Sequence, residues 1–155
     1  MAVTGPRARS DVEQLTELLG RRPRGDYEVV LRDEQGGPLV IRNAPLLDDG
    51  APMPTLYWLV GRLARLAVDR LEAAGGVDAA EAAVDPGELE RAHREYASER
   101  DAEIPDGWEG PRPSGGVGGT RKGVKCLHAH YAYWLVGGRD PVGLWVAEQF
   151  SGPAS

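Results

Sequence analysis

The spacing of apolar residues changes along the chain, and each change predicts an element. Apolar residues recur at helical intervals in four segments, 10–20, 55–76, 85–105 and 124–138. Two short runs of β-branched and aliphatic residues, Tyr27–Arg32 and Leu39–Arg42, flank the turn-forming stretch DEQGGP. Helical spacing puts an apolar stripe on one face, whereas paired short runs around a Gly-rich turn are typical of a β-hairpin. A short last helix is expected after the turn at Arg139–Pro141.

Residue types at the ends of these segments support the boundaries. Ser10 with Glu13 three residues later has the pattern of a capping box, and Asp85 before Pro86 is a typical helix start. We predict one α+β domain at 10–150, with a small antiparallel hairpin or sheet packed against four to five helices. A disordered tail is expected at 1–9 and a second tail at 151–155.

Composition narrows the function classes. The 155 residues are 41% hydrophobic and 27% charged, with a net charge of −6. These values are ordinary for a globular protein, and the negative charge argues against general nucleic-acid binding. The single cysteine excludes an intrachain disulfide and favours a reducing compartment. The apolar runs are too short for a membrane span and no signal peptide is recognised, so we predict a cytoplasmic protein that does not bind membranes.

Basic residues are concentrated in one segment of this acidic chain. Between Pro111 and Tyr131 there are arginines and lysines but no acid, and the glycine-rich stretch SGGVGGTRKG leads into the fourth predicted helix. Free amides at a helix start, glycine-rich backbone and cations together favour a phosphate-type anion. The candidate anion-binding residues are Gly115, Gly116, Gly118, Gly119, Thr120, Arg121, Lys122 and Lys125. The alternative is a flexible, solvated linker.

The stretch KCLHAHYAYW contains the only cysteine and two of the three histidines. On a helix Cys126 and His130 are four residues apart and share a flank, whereas His128 falls on the opposite side. The pair could supply metal ligands, with His93 as a third, and zinc is the natural metal for thiolate and imidazole. It could also act in catalysis, with Cys126, His130 or His128 as nucleophile or acid–base groups. The third alternative is a buried cysteine beside a structural histidine.

The stretches PMPTLYWLVGRLARLAVDRLEAAGGV and SGGVGGTRKGVKCLHAHYAYWLVGGRDPVG, with the GGPLVIRNAP turn, resemble a bacterial family called domain of unknown function 501. The resemblance spans about Val12 to Phe150. It implies small cytoplasmic proteins, frequent in actinobacteria, whose genes often lie near those for a septum-formation protein, enolase and an exopolyphosphatase. It also implies further cysteines where this chain has Arg32–Gln35 and Leu59–Arg62, so a cysteine-rich metal site would be incomplete here.

Three functions follow as hypotheses. The first is a binding or regulatory module for a phosphate-bearing anion or nucleotide at the glycine-rich loop and the helix start, with no required cofactor. The second is an enzyme that uses Cys126 or His130 on an anionic substrate. The third is a protein–protein adaptor linked to cell division, with tryptophans such as Trp108 or Trp145 as contacts. The oligomeric state is not specified by the sequence.

Overall fold

The computed structural model of the protein describes residues 10–151. The tail expected at 1–9 lies outside them, as does the tail at 151–155 except for Ser151. The three strands are β1 (Tyr27–Arg32), β2 (Pro38–Asn43) and β3 (Tyr57–Leu59). The helices are α1 (Asp11–Leu19), α2 (Arg62–Ala73), α3 (Gly76–Ala83), α4 (Pro86–Asp101), α5 (Leu127–Leu135) and α6 (Pro141–Phe150). A single 3₁₀ turn at Val117–Gly119 lies between α4 and α5.

The predicted hairpin is confirmed as β1 and β2, which pair antiparallel. Asp33 organises their turn, because one of its carboxylate oxygens accepts the amides of Gln35 and Gly37 at 2.9 Å. This agrees with the tendency of aspartate to bond the backbone two residues on. The predicted α+β class is therefore correct, with a three-stranded antiparallel sheet in the order β1-β2-β3.

The segment that begins at Thr55 was expected to be helical throughout, and this prediction is wrong. Tyr57–Leu59 instead forms β3, which pairs antiparallel with β2, and α2 begins only at Arg62. Tyr57 and Leu59 are buried while Trp58 between them is half-buried, which is the alternation of a strand with one face on the core. Gly61 lies between the end of β3 and the start of α2. It packs closely on β2, since a Cβ there would lie 2.7 Å from Leu39 Cδ1.

Helix α4 buries one face, and Tyr96 on that face positions β3. The Tyr96 hydroxyl oxygen accepts the amides of Leu56 and Tyr57, at 2.7 and 3.1 Å, and Tyr96 is fully buried. Buried donors of this kind are almost always paired, so the tyrosine satisfies two amides that enter the sheet. The main core joins the sheet to the helices through Val40, Leu56, Leu59, Val68, Leu89, Tyr96, Val117, Leu127, Ala132, Tyr133, Val142 and Val146.

Six helices lie within 10–151, one more than the upper expectation, because α3 follows α2 directly at Gly75. The predicted caps are confirmed: the side chains of Ser10 and Asp85 accept the amides of Glu13 and Glu88. Asp140 caps α6 in the same way, through Val142 and Gly143. Within the described part of the chain, no helix combines the length and apolar character that crossing a membrane requires.

Candidate functional site

The glycine-rich loop contributes to the walls of two clefts. Gly115 and Gly116 line a cleft of about 490 Å³ that also borders α4. Gly118 lines a second cleft of about 360 Å³, bordered by α2, β3 and the start of α5. We call the first the basic cleft, after Arg94, Arg121 and Lys122 in its wall, and the second the thiol cleft.

Cations dominate the basic cleft. Arg94, Arg121 and Lys122 are exposed, and none of them forms an ion pair with an acid of residues 10–151. Arg100 is buried and behaves differently, since its Nη1 donates to the carbonyls of Pro54 and Gly115 at 3.0 and 2.9 Å.

Two acids also line the basic cleft. Asp101 is paired, because Arg100 Nε donates to its carboxylate at 2.9 Å. Glu90 is the second acid in the wall. Even with both counted, the cleft lining carries more positive than negative side chains, in a protein whose net charge is −6.

The amides of the glycine-rich loop are used within the protein. Gly116 donates to the Thr120 carbonyl at 2.7 Å, and Gly119 donates to the Gly116 carbonyl at 3.0 Å. The amide of Val117 donates to His93 Nδ1 at 3.0 Å. These three amides therefore close a turn and do not form an open anion nest.

Close packing explains why glycine is needed at Gly116. A Cβ there would lie 2.5 Å from His93 Cβ and 2.7 Å from His93 Cα. The loop thus lies directly on the backbone of α4, at a distance that a side chain would prevent.

Two carboxylates occupy the start of α5. The Val124 amide donates to Glu81 Oε1 at 2.7 Å, and the Leu127 amide donates to Glu72 Oε2 at 2.9 Å. An acidic group at a helix start is stabilising for the same reason that an external anion would be. These amides are therefore not free for a ligand, and this part of the predicted anion site is wrong. Lys125 is exposed and is not among the residues lining the basic cleft.

A sulfur, an imidazole and two carboxylates meet beside the thiol cleft. Cys126 is the N-cap residue of α5 and His128 lies in its first turn. Asp69 and Glu72 are three residues apart on α2, so they share a face of that helix. Cys126 Sγ and His128 Nδ1 are 3.6 Å apart, and His128 Nδ1 lies 3.3 Å from Glu72 Oε2.

Asp69 fixes the orientation of the His128 ring. Its Oδ1 lies 2.7 Å from His128 Nε2, so Nε2–H donates to the carboxylate and Nδ1 faces the sulfur. The hydrogen bond with Cys126, together with the charges of Cys126 and Glu72, raises the pKa of His128 to about 9, against the opposing effect of partial burial. The arrangement can therefore hold a cation between the sulfur, the ring and the carboxylate, either a proton on Nδ1 or a metal ion.

Comparison with known protein families shows which family the chain belongs to. A family model described as "Protein of unknown function (DUF501)" matches residues 29–148. The chain belongs to the DUF501 family. Neither a curated protein nor a solved structure matches it. Both clefts of this DUF501 protein lie largely within the matched span.

The predicted pairing of Cys126 with His130 is wrong in this DUF501 protein. Cys126 has extended backbone angles, φ −148° and ψ 122°, so the helical spacing of four residues does not apply to it. His130 is fully buried and its Nδ1–H donates to Asp140 at 2.6 Å, while its Nε2 has no hydrogen-bond partner within residues 10–151. His128, two residues after Cys126, takes the place expected for His130.

The alternative metal set of Cys126, His130 and His93 is not brought together either. His93 Nδ1 accepts the Val117 amide and its Nε2–H donates to the Gly123 carbonyl at 2.9 Å, so both ring nitrogens are engaged. Burial lowers the pKa of His93, which keeps the ring neutral. His93 therefore fastens the glycine-rich loop to α4, and its ring packs edge-on against His130 at 5.5 Å between centroids.

Four residues of these clefts were not identified from the sequence: Asp69, Glu72, Arg94 and Arg100. Asp69 and Glu72 carry a weak signal, since two acids three residues apart share a helix face. Nothing in the local pattern indicates that this face meets Cys126. Arg100 lies on the stripe of α4 that includes Leu89, His93 and Tyr96, and an arginine on a buried stripe is a signal of an internal partner.

Proposed function

We propose that this DUF501 protein is a binding module for a small phosphate-bearing anion, and that the basic cleft holds the ligand. One observation carries the proposal: one cleft of an acidic protein is lined by three cations, Arg94, Arg121 and Lys122, that have no acidic partner within residues 10–151. Cations without acidic partners around a concave surface raise the local concentration of negatively charged ligands. Their clustering is therefore the feature that an anion would exploit.

The dimensions and chemistry of the basic cleft suit a small molecule. Its volume of about 490 Å³ is in the usual range for small-molecule sites. Ala97 and Pro113 add apolar surface to the wall, beside the fixed guanidinium of Arg100. Arginine donors match the oxygens of a phosphate in pairs, and lysine adds a point charge. A phosphate group attached to a small organic body, as in a nucleotide, fits this combination.

The same cleft favours binding over catalysis. His93 is the imidazole in its wall, and both ring nitrogens are bonded to main-chain groups. A general acid or base needs a nitrogen within reach of the substrate. His93 does not offer one, and Glu90 is the one exposed carboxylate of this wall without a hydrogen-bond or ion-pair partner among residues 10–151, so cations outnumber the groups that could transfer a proton.

The test compares two paired substitutions that remove the same charge. Tripolyphosphate and ATP are added separately to the full chain, and the melting temperature is followed at low salt. We expect both probes to raise it, and expect Arg121→Gln with Lys122→Gln to abolish the rise. Arg21→Gln with Arg22→Gln, two adjacent exposed arginines outside the cleft, should leave it unchanged.

Three results separate the explanations. Loss of the rise in both paired variants would mean that the anions respond only to overall charge. No rise in the unmodified protein would overturn the proposal. A rise with tripolyphosphate but not with ATP would restrict the ligand to an inorganic or extended phosphate, because the organic body would then be excluded from the cleft.

An enzyme remains the second candidate, for a specific reason. Cys126 Sγ lies 3.6 Å from His128 Nδ1, and Asp69 orients the ring, which is the order of groups found where a base activates a nucleophile. Rapid alkylation of Cys126 near neutral pH, slowed by His128→Asn, is the expected sign of such an enzyme.

The adaptor hypothesis has less support from its two tryptophans. Trp145 packs against the main core, and Trp108 is half-buried with its Nε1–H donating to the Pro111 carbonyl. An adaptor contact needs a continuous exposed apolar patch. Neither ring is among the exposed large hydrophobic residues of 10–151.

A further inference from the structure

Three potential metal-binding atoms converge at the edge of the thiol cleft. Cys126 Sγ, His128 Nδ1 and Glu72 Oε2 all lie within 4.8 Å of one another. They come from two elements far apart in sequence, α2 and the start of α5, so their meeting is a property of the tertiary structure. We propose that Cys126, His128 and Glu72 bind a zinc ion whose fourth coordination position is open to the thiol cleft. This site is separate from the basic cleft, and the proposal does not depend on anion binding there.

The distances match tetrahedral coordination. Zinc bonds of about 2.3 Å to sulfur and about 2.0–2.1 Å to nitrogen or oxygen place sulfur and nitrogen ligands about 3.5 Å apart, and nitrogen and oxygen ligands about 3.3 Å apart. The corresponding separations here are 3.6 Å for Sγ to Nδ1 and 3.3 Å for Nδ1 to Oε2. Two of the three ligand pairs therefore already have the separation that a zinc site requires, and the third pair, Sγ and Oε2, lies within 4.8 Å.

Electrostatics also calls for a cation between the three groups. Once a metal ion has displaced the proton from Nδ1, His128 keeps Nε2–H on Asp69 and directs the lone pair of Nδ1 towards a sulfur and a carboxylate. A proton on Nδ1 points along one direction and serves one acceptor well. A metal ion in place of that proton can bond to the sulfur, the nitrogen and the oxygen together.

Asp69 supplies the outer contact that metal-bound histidines usually have. Its Oδ1 accepts the Nε2–H of His128 at 2.7 Å, which fixes the tautomer and leaves Nδ1 free to bind the ion. A carboxylate in this position raises the basicity of the ring and holds its orientation. Glu72 is oriented as well, because its Oε2 accepts the Leu127 amide at 2.9 Å.

Three protein ligands leave room for an exchangeable one. Cys126 and His128 line the thiol cleft of about 360 Å³, whose lining also includes Tyr57, Trp58 and Leu59. Zinc sites with three protein ligands and an open position bind water or a substrate, whereas sites with four protein ligands are structural. The class of ligand is thus a water molecule or a small donor that fits against aromatic and apolar side chains.

Glu81 provides a matched control for Glu72. Both glutamates accept a backbone amide just before or at the start of α5, but only Glu72 borders Cys126 and His128. The experiment titrates zinc into metal-free full-length protein by calorimetry, and repeats the titration with cobalt(II), whose absorption reports thiolate ligation. Circular dichroism of each variant shows whether it is folded.

The expected result is one zinc ion per chain and a cobalt spectrum with a thiolate charge-transfer band. Cys126→Ser and Glu72→Gln should each weaken zinc binding by about 100-fold or more, and Asp69→Asn by about 10-fold, as for outer contacts elsewhere. Glu81→Gln should bind as the unmodified protein does. In Cys126→Ser the charge-transfer band should disappear while the protein stays folded.

Two results would overturn the proposal. The first is equal zinc binding by the unmodified protein and Cys126→Ser. The second is equal loss in Glu72→Gln and Glu81→Gln, which would assign the effect to the helix start. If in addition Cys126 is alkylated equally fast with and without zinc, the cation at Nδ1 is a proton and the cluster is a thiol–imidazole pair. None of these outcomes bears on tripolyphosphate binding in the basic cleft.

Discussion

The glycine-rich loop borders both clefts, but the groups left without a partner differ between them: they are cations in the basic cleft and lone pairs in the thiol cleft. Beside the basic cleft the amides of Gly116, Val117 and Gly119 are bonded within the protein, while the cations Arg94, Arg121 and Lys122 have no acidic partner among residues 10–151. In the thiol cleft the carboxylate of Glu72, the sulfur of Cys126 and the ring of His128 offer lone pairs, although Arg65 also lines the wall. We propose that the first region binds an anion and the second a cation.

This difference shows that the number of polar groups in a cleft is a poor guide to its ligand. What matters is which groups the protein has already paired. Glu72 and Glu81 neutralise the start of α5 from inside, so the feature most suggestive of phosphate in the sequence is unavailable. The free charges lie elsewhere on the same loop, at Arg121 and Lys122.

The largest effect is expected from substitution of Arg100, because its buried guanidinium holds several hydrogen bonds. The substitution also tests whether Arg100 is a structural residue or part of the proposed anion site. Arg100→Met leaves the carbonyls of Pro54 and Gly115 without their donor and releases Asp101. Buried acceptors that lose their partner cost about 1–3 kcal/mol each, so the free energy of unfolding should fall by about 3 kcal/mol in urea denaturation.

Arg94→Met is the matched control, since Arg94 lies on the same helix and is exposed and unpaired. Its free energy of unfolding should change by less than about 0.5 kcal/mol. If Arg100→Met were as mild as the control, Arg100 would belong to the ligand site and the cleft would hold four free cations.

Local sequence signals predicted most of the fold and one of them failed. The caps at Ser10 and Asp85 and the DEQGGP turn act through nearby backbone, so their effect can be read directly. Tyr57–Leu59 was expected to begin a helix because three large residues followed by an amphipathic stretch fit both periods. Pairing with β2, and the two hydrogen bonds that the Leu56 and Tyr57 amides donate to the Tyr96 hydroxyl, stabilise the strand, and these contacts are long-range.

The candidate sites were predictable only in part, for the same reason. The sequence drew attention to Cys126, but the choice between His128 and His130 depends on the extended backbone of Cys126 at the helix start. Asp69 and Glu72 reach the cluster because α2 packs beside α5. No spacing along one segment indicates that approach, whereas a buried stripe containing Arg100 did contain a usable signal.

A smaller loss of stability is expected from Gly116→Ala, which tests whether the glycine is needed for close packing of the loop on α4. Gly116→Ala places a methyl group 2.5 Å from His93 Cβ and 2.7 Å from its Cα, so backbone must move. Overpacking of this kind costs about 1–3 kcal/mol, and we expect about 2 kcal/mol by chemical denaturation.

Gly119→Ala is the comparison, because no atom lies within 4 Å of a Cβ there, although φ is +80°. Its only penalty is the left-handed backbone, about 1 kcal/mol. If Gly119→Ala proved the more damaging of the two, the loop would be limited by backbone conformation, and its packing against α4 would not explain the glycines.

The smallest effect concerns the neutral His93 that joins the loop to α4. Burial lowers its pKa, opposed by the Gly123 carbonyl and by the negative charges of Asp140 and Glu90, while His130 lowers it further. As pH falls below the ordinary value of about 6.5, the unfolded chain takes up a proton that the folded ring still refuses. Stability is therefore complete above that pH and declines below it, by less than about 1.4 kcal/mol per pH unit, the slope for one whole proton.

His93→Gln isolates this contribution, because glutamine keeps one acceptor and one donor but does not titrate. Urea denaturation of both proteins between pH 7.5 and 5.5 should give a steeper decline for the unmodified chain, so that the two free energies of unfolding approach each other at the acidic end. Parallel declines would show that protonation of His93 is not linked to unfolding. The ring would then accept a proton without releasing the Val117 amide, and the loop would be held to α4 by packing at Gly116 alone.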